Sequence, residues 1–220
     1  NETRLLDLQG VPSSGGVWAP ALSHADGQFY LCYTVVHQHE AATKDTPNFL
    51  TTAPSIDGPW SDPVFINSSG FDPSLFHDID GKKYWLNMVW DHRPDNHPFY
   101  GIILQEYDPQ SKSLTGKPEL IFKGSSLGLT EGPHLYQRNG FYYLLTAEGG
   151  TEYEHAVTLA RSHDLRGPFE LHPQNPILTS SGKPELALQK AGHASLVETQ
   201  GGEWYMPHLC GRPLPGTKRC

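Results

Sequence analysis

Two acidic residues, Asp72 and Glu131, stand at matching places in a chain of 220 residues. Asp72 lies three residues before Leu75 and Glu131 four before Leu135. Two more residues hold that place before two more leucines: Trp18 before Leu22 and His193 before Leu196. If that place faces one end of a shared axis, four segments deliver a ring, two carboxyl groups and an imidazole to one concavity, as a ligand site requires. Two carboxyl groups facing each other suit acid–base chemistry, because like charge and burial raise one pKa and keep that partner protonated near neutral pH. Hydrolysis of a glycosidic bond needs this division of labour: an acid for the leaving oxygen, and a second carboxylate to activate water or attack carbon. A ring such as Trp18 or Phe71 suits the apolar face of a sugar. Each residue also has a plainer reading. Asp72-Pro73 is a turn signal, Glu131 can be a surface strand-start residue, and His193 in Gly192-His-Ala-Ser195 can be a hydrogen-bonded core histidine.

Positioning these residues together requires a repeat, and the sequence carries one. The segments Trp18-Ala-Pro-Ala-Leu22, Phe71-Asp-Pro-Ser-Leu75, Glu131-Gly-Pro-His-Leu135 and His193-Ala-Ser-Leu196 share a grammar, with their leucines at intervals of 53, 60 and 61 residues. Four or five residues after each leucine comes a turn pair: Asp26-Gly27, Asp80-Gly81, Asn139-Gly140 and Gly201-Gly202. Such pairs favour two-residue hairpins with positive φ. An aromatic strand follows each: Phe29–Tyr33, Tyr84–Met88, Phe141–Leu145 and Trp204–Met206. Phe49–Thr52 and His155–Ala160 alternate as further strands, and the turns Asp57-Gly-Pro-Trp60 and Arg166-Gly-Pro-Phe169 come after them. Four strands per repeat is the unit of a β-propeller; the competing architecture is a β-sandwich with coincidental turn spacing. The expectation is an all-β chain, residues 1–220 forming a single propeller domain with about four blades represented and incomplete at both ends, so that exposed sheet edges invite association and a homo-oligomer is possible.

Composition excludes other classes. Gly (22) and Pro (19) leave little room for long helices, and no 3.6-residue apolar period is sustained, against bundles and coiled coils. Five Trp, ten Tyr and nine Phe with only 18% charged residues argue against disorder. A net charge of -8 argues against a nucleic-acid partner, and no apolar run is long enough for a membrane span. Cys32, Cys210 and Cys220 are odd in number and far apart, which reads as free thiols. Asn1–Gly10 lacks the basic-then-apolar pattern of a secretory signal, leaving cytoplasm and secretion both open. Gly124-Ser-Ser-Leu-Gly128 matches the nucleophile-elbow pattern but leads into a β repeat rather than a helix. His37, His39, His92 and His97 match no zinc spacing, so no metal ligands are assigned. Asn1-Glu-Thr3 and Asn67-Ser-Ser69 fit the glycosylation sequon.

At Gly16–Pro20, Phe71–Leu75, Thr130–Leu135, Thr146–Gly150, Gly192–Leu196 and His208–Pro213 the chain resembles glycoside hydrolase family 43, over essentially its whole length. The family comprises five-bladed β-propeller enzymes that include β-xylosidases and α-arabinofuranosidases, and the likeness is greatest to the β-xylosidase branch. The resemblance implies an inverting glycosidase on xylo-oligosaccharides, with three carboxylates and no required cofactor. Glu131 matches the general acid, and Asp72 the aspartate that raises the acid's pKa and orients it. His193 matches the histidine at the channel centre, near a water or a structural calcium ion in some members. Trp18 and Phe71 match the walls of the xylose subsite. Arg212, in Gly211-Arg-Pro213, is a possible substrate contact, with a structural role the stronger reading. The family's general base is an aspartate on the first blade's inner strand, and no residue here matches it. Asp7 and Glu2 are the acidic residues of the leading segment, and neither suits that place. On this reading the 220 residues alone are weakly active or inactive; an α-L-arabinofuranosidase and a non-catalytic sugar-binding propeller are the alternatives.

Overall fold

The computed structural model describes residues 8–40, 42–214 and 217, and within them every regular element is a strand. No helix is long and apolar enough to cross a membrane. Asp7, Glu2, the Asn1 sequon and Cys220 lie outside the described residues. The chain divides into two compact units, Asn1–Leu120 and Ile121–Cys220.

The first unit is built from two antiparallel meanders. Strands β1 (Gly16–Ala25), β2 (Gln28–Val36), β3 (Asn48–Ala53) and β4 (Val64–Asn67) pair in chain order. So do β5 (Ser74–His77), β6 (Lys83–Trp90), β7 (Phe99–Asp108) and β8 (Ser113–Phe122). These are the four-stranded sheets that the repeat predicts for propeller blades. Between the two sheets Tyr30, Cys32, Leu50, Leu75, Trp85 and Tyr107 form one buried cluster. Lys83 is almost fully buried (4% exposed); its ammonium meets the Asp26 carboxylate at 2.6 Å and lies 5.5 Å from the centre of the Tyr30 ring. A charge that deep needs such a partner.

In the second unit β9 (Glu131–Arg138), β10 (Phe141–Glu148) and β11 (Ala156–Ser162) pair in order. The short β12 (Glu170–Leu171) and β13 (Leu178–Thr179) both pair with β11. The last repeat is an interrupted hairpin: β14 (Gln189–Ala194) pairs with β17 (His208–Gly211), and β15 (Val197–Glu198) with β16 (Trp204–Tyr205). Leu145, Val157 and Ala194 make the buried cluster here, flanked by Tyr136, Leu196 and Met206.

The four anchor leucines diverge. Leu75 and Leu135 are 6% exposed, but Leu22 is 52% exposed, and Leu196 falls between β14 and β15. The turn pairs also split into two kinds. Asp26-Gly27 (φ 52°, 70°) and Asn139-Gly140 (φ 51°, 76°) are two-residue hairpins closing on Ala25↔Gln28 and Arg138↔Phe141. The other two are three-residue loops. The Gly81 N–H donates to Asp78 O at 3.0 Å and the Asp78 N–H to Lys82 O at 2.9 Å; Gly202 and Thr199 repeat this geometry with Glu203. Only the glycine of each has positive φ, as a type I turn plus one left-handed residue demands. Cys32 and Cys210 are free thiols, as expected.

Candidate active site

Within the first unit the structure gathers aromatic rings beside Asp72. Trp18, partly exposed on β1, meets the buried Phe71 edge-to-face at 5.6 Å, and its indole N–H donates to Ser14 O at 2.8 Å. Phe71 is also flanked by Trp90 and Phe99, each at 6.2 Å. Trp90 and Phe99 form a cross-strand pair of β6 and β7 that the motifs did not point to. Their position, at the strand ends nearest Phe71, was the signal available. Phe71 is 4% exposed, so it backs the partly exposed Trp18 ring rather than offering a face of its own.

Asp72 follows directly, buried and at φ 56°. A left-handed aspartate before a proline is uncommon, and such backbone persists only where its surroundings hold it. A chain of amides holds the loop that leads to it. Thr34 Oγ1 donates to Asn48 Oδ1 (2.7 Å), and the Asn48 amide donates to Asn67 Oδ1 (2.7 Å) and to Gly70 O (3.0 Å). The Asn67 amide donates to Asn87 Oδ1 (3.0 Å), and the Asn87 amide to Ser69 Oγ (3.1 Å) and Met88 O (2.7 Å). The Asn67 amide of the second sequon is thus occupied inside the fold. Gly70 is packed so closely that a Cβ there would lie 1.9 Å from Met88 O.

Within the second unit Glu131 and His193 come together. Glu131 is the first residue of β9 and is 7% exposed; His193 sits in β14 at φ 46°. A carboxylate oxygen of Glu131 and a ring nitrogen of His193 lie within 4.8 Å of each other. Gly132 separates the two backbones at φ 57°, and a Cβ on it would lie 2.8 Å from His193 Nε2. Behind His193 the ring of His155 packs on Gly192, where a Cβ would come within 2.3 Å of it. The Nδ1–H of His155 donates to Lys190 O at 3.0 Å, which leaves Nε2 as a buried acceptor without a partner among the described residues. Burial holds the His155 ring below its ordinary pKa and so in the neutral form. His134, three residues after Glu131, is lowered to about 4 by burial and by the neighbouring His193. Two neutral imidazoles therefore neighbour His193.

Arg212 is exposed, one residue beyond β17. The segment Gly124–Gly128 is a loop before β9 with no helix after it, so no nucleophile elbow forms. Two surface cavities, of about 530 and about 430 Å³, contain none of the predicted site residues; the site rests on the side-chain groupings above.

The sequence model of Glycosyl hydrolases family 43 matches residues 2–220. The chain is 56% identical to "Xylosidase/arabinosidase 43B" of Humicola insolens over 100% of this chain and 41% of that relative. It is 59% identical to "Beta-xylosidase" of Bacillus subtilis (strain 168) over 95% and 39%. Among solved structures, xylan beta-1,4-xylosidase from Bacillus halodurans C-125 superposes with a TM-score of 0.94 at 64% identity, covering 96% of this chain and 40% of that one. The chain thus spans about two fifths of the length of these relatives.

Proposed function

The chain belongs to glycosyl hydrolase family 43, and from that premise we propose that, in a protein of its relatives' length, residues 1–220 are part of the propeller catalytic domain of a β-xylosidase. The enzyme hydrolyses β-1,4 bonds of xylo-oligosaccharides with inversion. The observation that carries the reading is Glu131: buried, at the start of an inner strand, and within 4.8 Å of His193. Glu131 protonates the leaving oxygen. Asp72 is assigned the tuning and orientation of that general acid. Trp18, backed by Phe71, stacks on the sugar, and His193 orients Glu131. Arg212 is assigned to structure. The inverting reaction also needs a carboxylate to activate water, and that role is assigned to no residue of this chain.

An arabinofuranosidase activity at the same site is the second reading, favoured by the double name of the Humicola insolens relative. A panel of aryl xylosides and arabinofuranosides separates the two. No cofactor is needed for this chemistry. Calcium takes six to eight oxygen ligands. Glu131 and His193 supply one carboxylate and one imidazole, a poor fit, and no step is routed through an ion.

The test uses the enzyme at its relatives' length. Glu131→Ala lowers kcat on xylobiose about 10²–10⁴-fold, the usual worth of general acid assistance, and far less on an aryl xyloside whose leaving group needs no proton. Equal losses on both substrates contradict the assignment.

A further inference from the structure

Glu148 is one of the largest fully buried side chains among the described residues, with 0% exposure at the end of β10. A carboxylate so placed must be satisfied by donors. Its donors all come from the loop that feeds Glu131. The Ser125 N–H donates to Oε1 at 2.8 Å, Ser125 Oγ–H donates to Oε2, and Thr130 Oγ1–H donates to Oε1 at 3.0 Å. The two ends of the loop, Ser125 and Thr130, are thus tied to one side chain. Its middle is tied to the same strand end, by the Gly149 N–H donating to Gly128 O at 2.9 Å.

The strand ladder does not fix Glu131 by itself. Pairing between β9 and β10 is regular up to Leu145, shifts register, and resumes only at Ala147↔Glu131. Left-handed residues bracket the Thr130-Glu131 pair, Leu129 at φ 53° and Gly132 at φ 57°. A non-glycine residue at such φ is held there by its surroundings. Thr130, between Leu129 and Glu131, is 2% exposed and ends in the hydroxyl that Glu148 accepts. Gly124 shows how tight the clamp is, since a Cβ there would lie 1.9 Å from Thr130 Oγ1 and 3.0 Å from Glu148 Oε1.

We infer that Glu148 is a positioning residue for leaving-group protonation, holding the Glu131 carboxyl on the leaving oxygen by clamping Ser125 and Thr130. The inference rests on Glu131 being the general acid. A misplacement of about 1 Å can cost about 10²-fold in rate, and the loss should fall where protonation matters. Glutamine at 148 keeps the shape: its oxygen accepts from the Ser125 N–H and Thr130, and its NH₂ donates to the Ser125 hydroxyl.

The experiment measures kcat and KM on xylobiose and on an activated aryl xyloside in the enzyme at its relatives' length. Glu148→Ala loses about 10²-fold in kcat on xylobiose and about threefold or less on the aryl xyloside, with KM little changed. Glu148→Gln regains most of that loss. Thr130→Val, which removes one donor and keeps the side-chain shape, loses about tenfold on xylobiose alone, and it decides the matter if Glu148→Ala does not fold. Equal losses on both substrates, or parental xylobiose turnover in Thr130→Val, overturn the inference. Glu131→Ala is measured alongside. If it too fails to discriminate the substrates, the acid assignment is what has failed; if it discriminates and the clamp variants do not, only the role of Glu148 has.

Discussion

At the scale of single residues the site depends on backbone conformations that few residues accept. Gly132 keeps Glu131 and His193 near each other by having no side chain, and its φ of 57° suits glycine. Gly132→Ala incurs about 1–2 kcal/mol of left-handed strain and drives a methyl to within 2.8 Å of His193 Nε2. Gly140 is the control: it has the same sign of φ, 76°, with nothing within 4 Å of its would-be Cβ. Both substitutions should lower Tm, Gly132→Ala the more, but only Gly132→Ala should lower kcat, by roughly 10²-fold. Loss of activity in Gly140→Ala, or its retention in Gly132→Ala, would contradict this view. Type and spacing singled out Glu131, Asp72 and His193, and the family resemblance supplied the roles proposed for them. Glu148 and His155 were not legible in that way, because a buried polar side chain acting through backbone has no spacing signature.

At the scale of elements the two units solve the same problem with different chemistry. In each, a buried polar group on the second strand of a sheet ties down the loop delivering an acidic residue. In the first unit this is Asn87 of β6, which also accepts from Trp85 Nε1–H at 3.0 Å; in the second it is Glu148 of β10. Asn87→Ala strands the Trp85 donor in a fully buried place and the Asn67 donor in a half-buried one. An unsatisfied buried group costs about 1–3 kcal/mol, so the variant should unfold about 10 °C lower in a thermal melt. Wild-type Tm would remove the network from the structural account. The strands were readable because aromatic alternation follows the pleat and Asp-Gly or Asn-Gly marks the turns. The register of the last repeat was less so: its strands are two to six residues long and interrupted, and Leu196 lies between them, donating its N–H to Tyr136 Oη at 2.6 Å.

At the scale of the whole molecule the all-β reading holds, because a repeat of strand and turn signals constrains topology more than any single motif does. The burial of the anchor leucines was not legible in the same way, since the exposure of Leu22 depends on what its sheet packs against. Global stability should carry the mark of two histidines, His77 in one unit and His134 in the other, both held at about 4 by burial. Between pH 6.5 and 4 the unfolded chain binds protons that the folded one refuses, so stability is complete above 6.5 and falls as pH drops through that window. Melts across the window should show this slope, and His77→Gln should flatten it; an unchanged slope would mean that His77 is not the group titrating. The central claim of the proposed function is that Asp72 and Glu131 act as one catalytic pair. A double-mutant cycle on kcat/KM for xylobiose, with Asp72→Asn and Glu131→Gln in the enzyme at its relatives' length, tests it most directly. The account predicts a double variant scarcely slower than Glu131→Gln alone, because residues acting as a unit are non-additive. Losses that multiply would show the two carboxyl groups working independently and contradict it.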